Sequence, residues 1–351
     1  MKKQTTERRP EDGVLAVVFA ALFLLSSFVC CLPQFLSSAS VPQEILLGLS
    51  GFGFLFAALS AGFLTEYLLV TSGRGWPFPI LIVLLFGVSA VFLMKPAELA
   101  TMCFQCLLPV AVGFTLYACL REGLSHAASS AAGGGVFLLV WLFRFAAAVF
   151  IEAKAQNLTF STCLFGSMHE SIESITGLYT EVFTLAGAAP EEETLYTALS
   201  VLYTLLPAFV YVFGFFLSFF ILLIAERHNR RGHYLEDLSY GRYTVSPVTF
   251  TVYSVCFTLT LLSLFFSSGV SKALCALLSV TLALLPHFLI LGVQRIYRKL
   301  SGFMGKWAAG ALLAILGTFL CALLPQIFLC VIAFFGTTEY RAQRLENIRF
   351  L

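Results

Sequence analysis

The sequence has very few charged residues. Only 11% of its 351 residues are Asp, Glu, Lys or Arg, whereas a soluble globular domain carries about a quarter. Hydrophobic residues make up 59% of the chain, and the mean hydropathy is +0.91. A soluble fold of this length could not hide so much apolar surface, which excludes an ordinary soluble protein. The formal net charge of +2 is too small to indicate a nucleic-acid partner.

The motifs of common enzymes are also missing. The chain has no P-loop, no G-x-S-x-G, no H-E-x-x-H and no paired acidic motif, and the glycines at 133–135 follow no strand. Its ten cysteines are scattered, mostly within apolar runs, and indicate no disulfide framework. The C-x-x-C pair of Cys103 and Cys106 lacks the two further ligands that a zinc site needs. We therefore expect no enzyme, no catalytic residue, no metal and no cofactor.

Long apolar runs are what the sequence has in abundance. Runs of 18 or more apolar residues are typical of helices that cross a hydrocarbon core about 30 Å thick. They predict an all-α, polytopic transmembrane bundle of about eight or nine spans in a lipid bilayer. The apolar segments are 13–32, 45–70, 77–94, 99–120, 135–151, 196–225, 248–267, 273–294 and 307–335.

The distribution of Lys and Arg predicts the orientation. With the N-terminus in the cytoplasm, the inside segments hold 14 of these residues, and the outside loops before the tail hold three. This favours a bacterial inner-membrane protein with a cytoplasmic N-terminus and a first span that is retained, not cleaved. The three arginines of the tail do not fit this orientation, because a chain with nine spans and a cytoplasmic N-terminus places its tail outside. A break at Pro325 would return the tail to the cytoplasm, so its side stays open.

Two connections between the apolar segments are long. The first, 152–195, has apolar residues at helical spacing among glutamates, which predicts an amphipathic helix on the outer face. The second, 226–247, is basic and aromatic, and a membrane or cytoplasmic partner protein could bind there. We divide the single membrane unit into an N-terminal bundle, 1–195, and C-terminal helices with a charged tail, 196–351.

Arg144 lies near the middle of the apolar run "GGGVFLLVWLFRFAAAVFIEA". An arginine at the centre of a membrane helix costs roughly 2.5–3.5 kcal/mol on insertion scales, so it is expected to face other helices and to find a partner. Glu66 is the first acidic candidate. A structural ion pair or a carbonyl-bonded arginine is the leading interpretation, and a role in binding a ligand is the second. The third is a span shifted so that Arg144 reaches a membrane interface.

Two further polar residues lie within apolar segments. His287 follows Pro286, and a proline frees the carbonyl four residues earlier, which an imidazole could bind. A histidine satisfied within the bundle is favoured over one in a proton relay. Gln105 is the other buried polar candidate.

The second half of the chain resembles the YybS-like bacterial membrane proteins, an uncharacterised family. The likeness rests on "LYTLLPAFVYVFGFFLSFFILLIAERHNRRG", "YGRYTVSPVTFTVY" and "LLPQIFLCVIAFFGTTEYRAQRL". The family pattern maps onto Pro207, Pro247, Gly336, Glu339 and Arg341, with Glu where the family usually has Asp. The resemblance brings no catalytic residue. The part before residue 195 is similar in outline to the substrate-binding S components of energy-coupling-factor transporters.

Two functions follow as hypotheses. The first is a membrane component that binds or transports a small molecule, and a small anion would suit Arg144. The second is a structural or regulatory membrane protein that acts through partners at 226–247 and transports nothing.

Overall fold

The computed structural model describes residues 18, 22, 25, 108, 111–119, 122–185, 191–228, 243–266, 271–323 and 325–349. Every regular element within these residues is helical, which confirms the all-α prediction. Residues 111–119 are helical, and most of the first four predicted spans lies outside the described residues. The helices with defined bounds are α1 (His126–Ala155), α2 (Phe160–Leu185), α3 (Glu192–His228), α4 (Pro247–Phe266), α5 (Lys272–Met304), α6 (Lys306–Leu323) and α7 (Pro325–Arg349).

Three of these helices are long and apolar enough to cross a membrane. They are α1, the part Glu193–Leu223 of α3, and α5, and shorter apolar helices cover Pro247–Ser263 and Lys306–Gly317. These helices contain the predicted spans 135–151 and 196–225 and most of the segment 248–267. Within the described residues, the prediction of a polytopic membrane protein is confirmed.

Short side chains and glycine define several helix ends. The Ser125 hydroxyl accepts a hydrogen bond of 3.3 Å from a backbone N–H of the first turn of α1, and Ser271 does the same for α5 at 3.1 Å. Asn157 follows α1 with a φ of 54°, a left-handed conformation that Asn tolerates. Gly305 alone separates α5 from α6, and its φ of 82° favours glycine.

Two predicted boundaries differ from the structure. The predicted span 273–294 continues as a helix to Met304. The prediction of a loop at 295–306, between two apolar segments, is therefore wrong for most of its residues. Two helices cover the predicted segment 307–335, α6 to Leu323 and α7 from Pro325. The residue between them, 324, lies outside the described residues, so the predicted break at Pro325 stays a prediction. The tail continues α7 to Arg349, so this helix has 25 residues.

The described residues fall into two compact units, those within 1–141 and 213–238 in the first and those within 142–212 and 239–351 in the second. The division of the chain at residue 195 stays a prediction.

In the first unit, α1 and α3 pack closely at two places, where a glycine of one helix lies against a side chain of the other. A Cβ on Gly133 would overlap the Ser218 hydroxyl, and one on Gly214 would overlap Phe137.

In the second unit, α2 has one packed face and one exposed face. Cys163, Ile172 and Thr176 are buried, whereas Glu170 and Glu173 are exposed. Cys163 packs against buried residues near the end of α1. The prediction of an amphipathic helix is confirmed, and its position on the outer side of the membrane stays a prediction.

Candidate functional site

Arg144 lies in α1, and its side chain is half-buried. Its neighbours Phe143 and Phe145 are exposed. Within the described part of the chain, Arg144 makes no hydrogen bond and no ion pair. Glu66 and Gln105 lie outside the described residues, so the pairing of Arg144 with Glu66 stays a prediction.

His287 is buried in α5 and has a side-chain partner. A hydrogen bond of 2.7 Å joins its Nδ1 to the hydroxyl of Tyr243, in the segment that precedes α4. Burial raises the pKa of Tyr243 well above its ordinary value near 10, so the hydroxyl stays protonated at neutral pH. This bond connects residues that are 44 positions apart and ties the start of α4 to the middle of α5.

Two glycines allow α5 and α7 to touch backbone to backbone. A Cβ on Gly292 of α5 would overlap the carbonyl oxygen of Ile332, and a Cβ on Gly336 of α7 would overlap that of Phe288. Small residues allow such close contact between membrane helices. The contact brings the polar end of α7 within reach of the basic end of α5.

An ion pair forms where those two ends meet. The Glu339 side chain is only 8% exposed, and its Oε1 accepts a hydrogen bond from Nη2 of Arg298. Nη1 of Arg295 lies 3.9 Å from Oε2, and Gln343 donates to Oε1 at 3.3 Å. One carboxylate is therefore shared by two guanidinium groups, which leaves a local excess of one positive charge.

Three buried polar atoms, on residues that belong to this ion pair or adjoin it in the sequence, have no hydrogen-bond partner within the described residues. They are Oε1 of Gln294, Nε of Arg295 and the hydroxyl of Tyr340. Gln294 and Tyr340 are each only 5% exposed. An unpaired polar group buried away from water costs about 1–3 kcal/mol by mutational measures. We call the residues 294, 295, 298, 339, 340 and 343 together the α5–α7 polar cluster.

The α5–α7 polar cluster is equipped to bind and to orient a polar group. Nε–H of Arg295 needs an acceptor, Oε1 of Gln294 needs a donor, and the Tyr340 hydroxyl can serve as either. His287 lies seven residues before Gln294, so the two share a face of α5. Among the described residues, no group of three or more His, Cys, Asp or Glu is placed to hold a metal ion.

Sequence reasoning identified His287 and missed the α5–α7 polar cluster. Arg295 and Arg298 were interpreted only as charges that set the orientation. Glu339 lies 41 residues after Arg298, and no local pattern joins the two. The sequence did contain one signal, because Gln294, Arg295 and Arg298 continue the helical period of the apolar segment 273–294.

Comparison with known proteins identifies a family but no characterised relative. The family model described as "Predicted membrane protein (DUF2232)" matches residues 55–338. No curated protein matches the chain, and no solved structure matches it.

Proposed function

The chain belongs to the DUF2232 family of predicted membrane proteins, and from this premise we propose that it is a membrane component that binds or transports a small molecule. The α5–α7 polar cluster is the observation that carries the proposal. Three buried polar atoms there have no partner among the described residues, and they belong to residues in or next to the ion pair of Glu339. Hydrocarbon offers no hydrogen bonds, so a polar ligand would relieve this cost.

The sequence likeness fits the same proposal. Part of the YybS-like pattern, Gly336 and Glu339, falls on the residues that form the contact of α7 with α5. The outline similarity of the first part to transporter S components also favours binding over catalysis. Both likenesses rest on residue pattern.

We further propose that the protein lies in a bacterial inner membrane with its N-terminus in the cytoplasm. The support is the Lys and Arg bias of 14 to three. Cysteine labelling at Ser239→Cys, in a background without native thiols, should give no reaction from outside. External labelling would overturn the orientation, because the segment 226–247 carries four of the inside charges.

Ligand screening by thermal unfolding tests the proposed function. The full-length protein, purified in neutral detergent, is screened against vitamins and small carboxylates, and at least one compound should raise the melting temperature. Gln294→Leu should abolish that shift while leaving the unliganded protein as stable or more stable, because it removes a buried, unpaired amide. Gln156→Leu makes the same change at an exposed position and should keep the shift.

A flat screen, or a ligand shift that survives Gln294→Leu, would contradict the proposal. The flat screen would favour the alternative, a structural or regulatory role through protein partners. Cross-linking from Tyr234 or Tyr240 in the loop 226–247 tests that alternative, and both positions lie outside the described residues.

A further inference from the structure

We infer that the α5–α7 polar cluster is a binding site for a phosphate group. The inference rests on the proposed function and specifies the chemistry of its ligand. The same group could come from free phosphate or from the headgroup of an anionic phospholipid, and the experiment below separates these sources.

The charge of the cluster favours an anion. Arg295 and Arg298 together carry two positive charges against the single carboxylate of Glu339. No Asp or Glu occurs elsewhere in α5 or in α6. An anion beside the guanidinium groups would neutralise the excess charge in surroundings where an uncompensated charge is costly.

The unpaired atoms favour an anion that also carries a hydroxyl. The buried Nε–H of Arg295 is one edge of a guanidinium fork, and that geometry matches phosphate oxygens. Oε1 of Gln294 accepts only, so its partner must donate a proton. Hydrogen phosphate and a phosphoglycerol headgroup each supply oxygens and a hydroxyl, whereas sulfate supplies oxygens alone.

The cluster also lies near a surface suited to the membrane interface. Phe303 is 88% and Trp307 is 91% exposed, and Lys299 and Lys306 are exposed beside them. Aromatic residues concentrate at the level of lipid headgroups, and basic pockets between membrane helices bind anionic headgroups. Phe303 follows Arg298 by five helical residues, or roughly 8 Å along the axis, so a headgroup phosphate lies within reach.

Thermal unfolding of the full-length protein in neutral detergent tests the site. Inorganic phosphate is titrated against sulfate at equal ionic strength, and phosphatidylglycerol is titrated against phosphatidylcholine in mixed micelles. Phosphate, phosphatidylglycerol or both should raise the melting temperature with saturation, and sulfate should act more weakly. A response to phosphatidylglycerol alone assigns the site to a headgroup.

Two variants and one control locate the response. Arg295→Lys keeps the charge but loses the fork, and it should raise the half-saturating concentration about tenfold, the loss of roughly 1.4 kcal/mol of binding. Arg341→Lys makes the same change at an exposed position of α7 and should leave that concentration unchanged. Gln294→Leu leaves the charges of the ion pair in place, and it should abolish the stabilisation by phosphate and by phosphatidylglycerol even if Arg295→Lys folds poorly.

The failures of the two proposals are distinguishable. Two results would overturn the phosphate site. In the first, phosphate and sulfate raise the melting temperature equally, and neither Arg295→Lys nor Gln294→Leu changes this. In the second, no phosphate probe raises the melting temperature. If another compound then acts through Gln294, the proposed function stands without the phosphate site. If no compound acts at all, both fail.

Discussion

The substitution Gly336→Ala should force α5 and α7 apart. The new methyl group would overlap the carbonyl oxygen of Phe288 and lie 2.7 Å from its carbonyl carbon, where ordinary contacts are 3.4–4 Å. The obstacle is backbone, which cannot rotate away, so the helices must separate or distort to relieve the overlap with that oxygen. Overpacking of this kind costs about 1–3 kcal/mol, and the better helix propensity of alanine returns up to ~1 kcal/mol.

A net loss of about 1–2 kcal/mol should lower the melting temperature by roughly 2–8 °C. Gly302→Ala is the matched control, because it lies in the same helix as Phe288 and a Cβ there meets nothing within 4 Å. That control should melt with the wild type or slightly above it. If Gly336→Ala proves as stable as Gly302→Ala in the same detergent, the backbone contact between α5 and α7 is wrong.

Three further predictions concern charge and topology. Glu339→Gln should lower the free energy of unfolding by about 1–3 kcal/mol. This is less than the loss on breaking a fully buried pair, because the Arg298 side chain is 46% exposed. An unchanged melting temperature would count against the ion pair. Because that ion pair holds the end of α5 beside the tail, cysteines from Gly302→Cys and Arg344→Cys should be labelled from the same side of the membrane, and labelling from opposite sides would contradict the contact. If Arg144 pairs with Glu66, Arg144→Leu should be destabilising and adding Glu66→Leu should recover much of the loss, whereas strictly additive losses would show that they are not partners.

Apolar patterning predicted the helices well where hydrophobicity alone defines them. The segments 135–151, 196–225 and 248–267 each correspond to one helix. The same reasoning ended α5 too early, at 294, because Arg295, Arg298 and Lys299 have the composition of a loop. The helix continues there while Glu339, distant in sequence, neutralises part of that charge.

The contacts of the candidate site could not be predicted in the same way. His287 was identified as buried because it lies within an apolar run, but its partner Tyr243 comes from a segment 44 residues earlier. Gln294 continues the helical period of the apolar segment, but the sequence does not show which helix packs against it. Which polar atoms stay unpaired depends on how α5 and α7 pack, and that packing depends on Gly292 and Gly336. The family pattern included Gly336 but did not indicate which helix it contacts.

We expect the one-residue connection at Gly305 to set how deep the ion pair lies in the bilayer. Phe303 and Trp307 flank that connection as exposed aromatic anchors, and Arg298 and Arg295 lie roughly 8 and 12 Å further along α5. A membrane helix adjusts to hydrocarbon thickness by tilting or by shifting its anchors. The hydration of the two arginines therefore follows bilayer thickness, and the strength of their contact with Glu339 should differ between short-chain and long-chain lipids.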